Sequence, residues 1–141
     1  IDPWFIASAA PEITPLIQTS RKVNVYKENW VYEKILFMIQ KFRDDYGLLP
    51  QVGIFGMTYK ANSDDTRESP ALNIIKKLIQ NNLNIKVFEP NLEKHKEIKF
   101  SSVKDVLESD ILVFLVPHKS FKKLNCKNKI ILDFCEAIKD I

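Results

Sequence analysis

Val52-Gly53-Ile54-Phe55-Gly56-Met57-Thr58-Tyr59-Lys60-Ala61-Asn62-Ser63-Asp64-Asp65-Thr66-Arg67-Glu68-Ser69-Pro70-Ala71 is the stretch that decides the fold of this chain. A short apolar run ends at a glycine turn. A lysine follows, then a polar loop, and then Ser69-Pro70, a natural N-cap and N1 pair, opens an amphipathic segment. That order is the layout of a strand, an anion-holding loop and a helix. In doubly wound sheets ligands bind beyond the carboxyl ends of strands, beside helix N-termini. Lys60 lies just past such an end, where its ammonium supplies a point charge for a phosphate and loop N–H groups supply directional bonds. Gly53 and Gly56 form GxxG rather than the dinucleotide fingerprint GxGxxG, and a tight strand-to-loop turn explains them equally well. Asp64, Asp65 and Thr66 are further capping candidates. Arg67 reads first as a tie to a carboxylate on a neighbouring element or domain, and second as a ligand contact. Tyr59, Lys60 and Arg67 are therefore the candidate substrate-binding residues.

Working outward, the downstream half alternates short apolar runs with helical periodicity. Strands are expected at 52–55, 85–88, 111–116 and 130–133, helices at 70–82 and 103–107, and a helical turn or two at 119–124. This predicts an α/β fold, a Rossmann-like parallel sheet of about five strands flanked by helices. Upstream, apolar residues from Ile13 to Tyr46 recur at spacings of three and four, which predicts a long N-terminal helical segment over residues 11–47. Gly47 is its C′ stop, and the polar gap from Ser20 to Asn24 leaves a break into two helices open. Unbroken, about 35 residues at 1.5 Å each would run roughly 50 Å. One small domain cannot bury that length, so the surplus apolar surface, Trp30 and Phe37 included, calls for a second partner. A homodimer through residues 11–47 is expected, with Trp30 as its anchor. The corresponding domain division is 1–48 and 49–141.

The chain has 141 residues, a net charge of +3 and an apolar share of 45%. Its lysines are interleaved with acids, which argues against a nucleic-acid stripe. No apolar run reaches 18 residues and no signal pattern is present, so no membrane association and a soluble, cytoplasmic protein are expected. Cys126 and Cys135 lack CxxC spacing and histidine partners. They read as reduced thiols in neither a metal site nor a nucleophile motif. The chain opens on Ile1 rather than Met and reads as a piece of a longer protein.

The 51–90 segment closely resembles the opening of the C-terminal domain of the nucleotide-sugar 6-dehydrogenases, the UDP-glucose/GDP-mannose dehydrogenase family. Ile1-Asp2-Pro3-Trp4-Phe5 resembles the end of the family's nucleophile motif, in the acetamido-sugar form His-Cys-x-x-Val-Asp-Pro. Arg21 and Asn24, in Arg-Lys-Val-Asn, match the family's Arg-x-Val-Asn. Glu89-Pro90 stands where the family usually has Asp-Pro. His118-Lys119-Ser120-Phe121 resembles its strand-end His-x-x-Phe loop. Where the family ends its last strand with Asp-Thr-Arg, this chain has Asp133-Phe134-Cys135 and no arginine. The resemblance implies part of an NAD-dependent enzyme oxidising C6 of a UDP-N-acetylhexosamine, UDP-N-acetylmannosamine first, to the uronate through a cysteine thioester. It implies that NAD binds an upstream domain and not this chain. It implies that this chain holds the UDP-sugar and is inactive alone. It also implies that Asp2 is catalytic, matching the aspartate thought to activate the hydrolytic water. Two rivals stand beside it: a non-catalytic nucleotide-sugar-binding or dimerisation module, and an unrelated NAD-binding domain, against which the missing GxGxxG counts.

Overall fold

The computed structural model describes residues 2–138, and of Asp2 the backbone alone. Helix α1 (Asp2–Ala9) and a 3₁₀ turn (Pro11–Ile13) lead into helix α2 (Pro15–Tyr46). Strand β1 (Val52–Phe55), helix α3 (Pro70–Gln80), strand β2 (Ile85–Phe88), helix α4 (Val103–Leu107) and strand β3 (Ile111–Phe114) follow. A 3₁₀ turn (Lys119–Lys123) and strand β4 (Ile130–Asp133) complete the order.

The sheet is parallel throughout, in the order β2-β1-β3-β4. Four strands form where the sequence suggests about five. In place of a fifth there is a single bridge, Phe100 beside Val87, with the Ser101 N–H donating to the Val87 carbonyl at 2.8 Å. The physical reason lies in the preceding segment. Glu93, Lys94, Lys96, Glu97 and Lys99 leave it no apolar run to bury along the β2 edge.

The strands alternate cleanly between two cores, as the pleat requires. Val52, Ile54, Ile111 and Val113 face the layer made by α2 and α3, where Val31, Ile35, Ile75 and Leu78 are buried. Phe55, Leu112 and Phe114 face the other side, with Val106 of α4 and Phe121. There Phe55 stacks on Phe114 at 4.7 Å, and Phe121 meets both rings edge-on. Helix α3 begins as expected. The Ser69 Oγ accepts from the Leu72 N–H and donates to the Met57 carbonyl, so one hydroxyl caps the helix and ties it to the β1 loop.

Helix α2 runs unbroken through the polar gap at residues 20–24, and at 32 residues spans about 48 Å. It stops at Gly47, which takes φ 72° while its N–H returns to the Arg43 carbonyl. Its buried residues, Val31, Ile35 and Ile39, all lie in the C-terminal half. The other half carries exposed Leu16, Val23 and Tyr26, and Phe37 is exposed as well. Trp30, the expected interface anchor, is half-buried. It packs within the chain, edge-on to Phe134 at 6.0 Å, with the Lys27 ammonium 3.8 Å from its ring centroid. Helix α1 has no counterpart in the sequence reading. Ala7 is its one buried side chain among those described, and the Arg21 guanidinium of α2 lies 5.8 Å from the Trp4 ring.

Candidate functional site

Because β1 is flanked by β2 on one side and β3 on the other, three strand-end loops converge beyond its carboxyl end. Such a reversal of strand order is where doubly wound sheets open a crevice. Here the floor of that position is a buried polar cluster. The Glu89 carboxylate, after β2, accepts the Met57 N–H at 2.7 Å and the Thr58 N–H at 3.3 Å on Oε2, and the Asn91 N–H at 3.0 Å on Oε1. His118, after β3, faces the same Oε2 through Nε2 at 3.1 Å. Its Nδ1 accepts from the Asn62 backbone N–H at 2.9 Å and from the Asn91 side-chain amide at 3.0 Å. Two donors on Nδ1 place the ring proton on Nε2, which donates to Glu89. Glu89 and His118 are 3% and 1% exposed. Burial pushes the Glu89 carboxyl up, but the hydrogen bonds from His118 and from the Asn91 and Met57 amides outweigh it and hold it below its ordinary value.

This cluster corrects one expectation. The first N–H groups of the β1 loop do not stand ready for a phosphate, because Glu89 already occupies those of Met57 and Thr58. The Tyr59 N–H goes to the Asp65 carbonyl and the Asn62 N–H to His118. The two glycines serve packing. A Cβ on Gly53 would lie 2.5 Å from the Val106 carbonyl oxygen, and Gly56, at φ 91°, lies against Val116. A dinucleotide pyrophosphate calls for free amides and close backbone approach, and the Met57, Thr58, Tyr59 and Asn62 amides are already taken.

Beside the loop a groove of about 560 Å³ opens between α2 and the start of α3. Arg21, Asn24 and Glu28 of α2 line it together with Tyr59, Glu68 and Phe134. Arg21 and Asn24, far from Tyr59 in sequence, thus share one wall-to-wall opening with it. Glu68 holds a left-handed backbone, φ 56°, and its carboxylate meets Arg21 at 2.9 Å. Of the three candidate substrate residues, the groove includes Tyr59; Lys60 and Arg67 are exposed outside its lining. Arg67 does not reach a neighbouring element. It forks onto Asp65 of its own loop, at 3.0 and 2.8 Å, and Asp65 is held down to about 2, by Arg67 first and with help from Lys60. The tether to a neighbouring element is instead Arg21–Glu68. Asp64 and Thr66 make no capping bond to α3; Ser69 does that alone. The catalytic candidate Asp2 sits at the start of α1, and its side chain lies outside the described residues.

At the end of β4, the Asp133 carboxylate accepts the N–H groups of Cys135, Ala137 and Ile138. Cys135 packs against this carboxylate, and burial, followed by the Asp133 charge, pushes its thiol up to about 12. The Cys126 thiol is raised too, chiefly by burial. Neither is an activated nucleophile. Among the described residues no group of three His, Cys, Asp or Glu side chains is placed to hold a metal, and no helix is long and apolar enough to cross a membrane.

Residues 53–140 match the model of the UDP-glucose/GDP-mannose dehydrogenase family, UDP binding domain. The chain is 34% identical over 142 residues to the NDP-N-acetyl-D-galactosaminuronic acid dehydrogenase of Ralstonia solanacearum, covering 94% of this chain and 32% of that relative. It is 38% identical over 144 residues to the UDP-N-acetyl-D-mannosamine dehydrogenase of Methanocaldococcus jannaschii, with coverage of 94% and 32%. The solved structure of the UDP-D-ManNAc dehydrogenase from Pyrococcus horikoshii superposes with a TM-score of 0.76 at 27% identity, over 99% of this chain and 34% of that one. The chain therefore spans about a third of the length of the curated relatives it matches. It belongs to the UDP-glucose/GDP-mannose dehydrogenase family.

Proposed function

We infer that this chain is the UDP-sugar-binding and dimerising part of a nucleotide-sugar 6-dehydrogenase that converts a UDP-N-acetylhexosamine, UDP-N-acetylmannosamine first, to its uronate. The observation that carries this reading is the convergence of Arg21, Asn24 and Tyr59 on one groove, in a chain whose residues 53–140 match the UDP binding domain. The names of the relatives, which act on acetamido sugars, support the substrate class. In this reading residues 1–48 carry the end of the catalytic motif and the dimer helix, and residues 49–141 hold the UDP-sugar. Tyr59 offers a ring and a hydroxyl to the ligand, Lys60 a charge for its diphosphate, and Arg67 a second cation on the same loop. Asp2 serves thioester hydrolysis beside an upstream cysteine. NAD binds elsewhere in the parent, since the β1 loop amides here are already taken, and the chain alone turns nothing over. A cytoplasmic setting follows from the nucleotide-sugar substrate.

Calorimetry on the 141-residue chain tests the reading. UDP should bind and NAD should not. Lys60→Ala should weaken UDP by about ten- to a hundredfold, the worth of one charge-assisted contact of about 1.5–3 kcal/mol. Tight NAD binding, or UDP affinity indifferent to Lys60, would overturn it. A second reading, a binding module without a catalytic parent, draws on one observation. Cys135, with its raised thiol, stands where the resemblance places the family's arginine.

A further inference from the structure

Tyr59 and Lys60 are exposed, yet the residues on either side of them are anchored. On one side, the Thr58 N–H is held by Glu89, and its hydroxyl donates to the Lys60 carbonyl at 3.0 Å while lying 3.3 Å from His118 Nε2. On the other, Asn62 gives its N–H to His118 Nδ1 and receives the Lys119 N–H on Oδ1 at 3.1 Å. Asn62 does this in a left-handed conformation, φ 56°, which asparagine tolerates better than other non-glycine residues. His118 is itself pinned, its ring edge-on to Phe121 at 5.1 Å. An apolar pair would fill this volume without the desolvation cost of a buried carboxylate and imidazole. What the polar pair adds is direction, because Glu89 takes the backbone N–H groups of Met57, Thr58 and Asn91 and His118 takes that of Asn62.

The geometry points to Glu89 and His118 as positioning residues of the nucleotide-sugar site: without touching ligand, they latch the β1 loop so that Tyr59 enters the groove and Lys60 follows it at a fixed place. This rests on the reading of the groove as a UDP-sugar site. The latch has two halves that can be broken separately. His118→Asn keeps an acceptor where Nδ1 stood, for the Asn62 N–H, but withdraws from Glu89. His118→Gln keeps a donor near Glu89 but leaves the Asn62 N–H without its acceptor.

Both variants are made in the 141-residue chain and followed by amide hydrogen exchange, thermal melting and UDP calorimetry. In His118→Gln the Asn62 amide should exchange about tenfold faster or more, and UDP should bind about tenfold more weakly, the loop now being ordered at the ligand's expense. In His118→Asn the Asn62 amide should stay better protected than in His118→Gln and UDP should weaken less, even where both variants melt lower by similar amounts. Affinity that follows melting temperature instead of Asn62 protection overturns the proposal, as does an Asn62 amide unmoved in His118→Gln. Asn62→Gly is an exposed change that keeps the left-handed turn and removes the Lys119 contact. It should fold and bind UDP several-fold more weakly, and unchanged affinity there counts against the latch. A wild-type chain that binds no UDP refutes the reading of the groove, and the latch is then judged on amide exchange alone.

Discussion

Replacing Glu89 by glutamine is the most informative single change, because it removes a charge while keeping shape. The carboxylate accepts three backbone N–H groups and the His118 ring. If the glutamine oxygen takes the Oε2 position, it keeps Met57, Thr58 and His118 but without charge assistance. Its NH₂ then confronts the Asn91 N–H, donor against donor. Hydrogen bonds to charged groups contribute about 1.5–3 kcal/mol against about 0.5–1.5 for neutral ones, so the change should cost about 2–3 kcal/mol. For a chain of this size that is a melting temperature lower by roughly 8–12 °C, at about 4 °C per kcal/mol. The effect must also depend on pH. Glu89 is held below its ordinary value in the folded state. Its contribution is therefore present above the unfolded carboxyl value, near 4.3, and is lost as pH falls through the lower folded one. Melting wild type and Glu89→Gln from pH 8 to pH 3 cancels the titration of every other carboxylate in the difference. The gap should be wide at pH 7 and narrow towards pH 3. A gap of constant size across that range, or a Glu89→Gln protein melting within a degree of wild type at pH 7, would refute the charged, hydrogen-bonded cluster.

Gly53→Ala places a Cβ 2.5 Å from the Val106 carbonyl oxygen and should cost about 2–3 kcal/mol while leaving UDP affinity unchanged. Lost affinity at an unchanged melting temperature would return the glycine to the ligand site. The chain should sediment as a dimer, and Tyr26→Glu, at a side chain 69% exposed on α2, should yield monomer at an unchanged melting temperature. Trp30→Ala should instead lower the stability of the chain itself by about 2 kcal/mol, since its ring packs on Phe134. A concentration-independent wild-type monomer defeats the dimer. In the full-length parent Asp2→Asn should slow thioester hydrolysis by roughly 10²–10⁴ and let an acyl-enzyme accumulate in mass spectra. Wild-type turnover with no adduct removes Asp2 from the catalysis.

What the sequence made legible is what repeats. The alternation of Val52 and Ile54 with Phe55 needs only the pleat, and the stops at Gly47 and Ser69-Pro70 need only local backbone chemistry. Helix α1 was not legible because eight residues without a polar face carry no period. The partner of Arg67 was misread for a related reason: a carboxylate two residues away, inside a loop, leaves no pattern that separates it from a distant one. The Glu89–His118 cluster was the larger omission. Both residues follow apolar strands and sit beside a proline, yet 29 positions separate them and nothing periodic links them. Strand order supplies the link. With β1 between β2 and β3, the ends of the outer two strands stand about 10 Å apart, two strand spacings of about 4.8 Å. A glutamate from one side and an imidazole from the other can close that distance over the Met57–Thr58 amides, and in doing so they fill the anion position that the fold leaves open to a ligand in dinucleotide-binding sheets. A polar residue directly after a buried strand on each side of the central strand is therefore a readable sign. In this chain it marks a sheet whose Met57 and Thr58 amides hold the protein's own carboxylate.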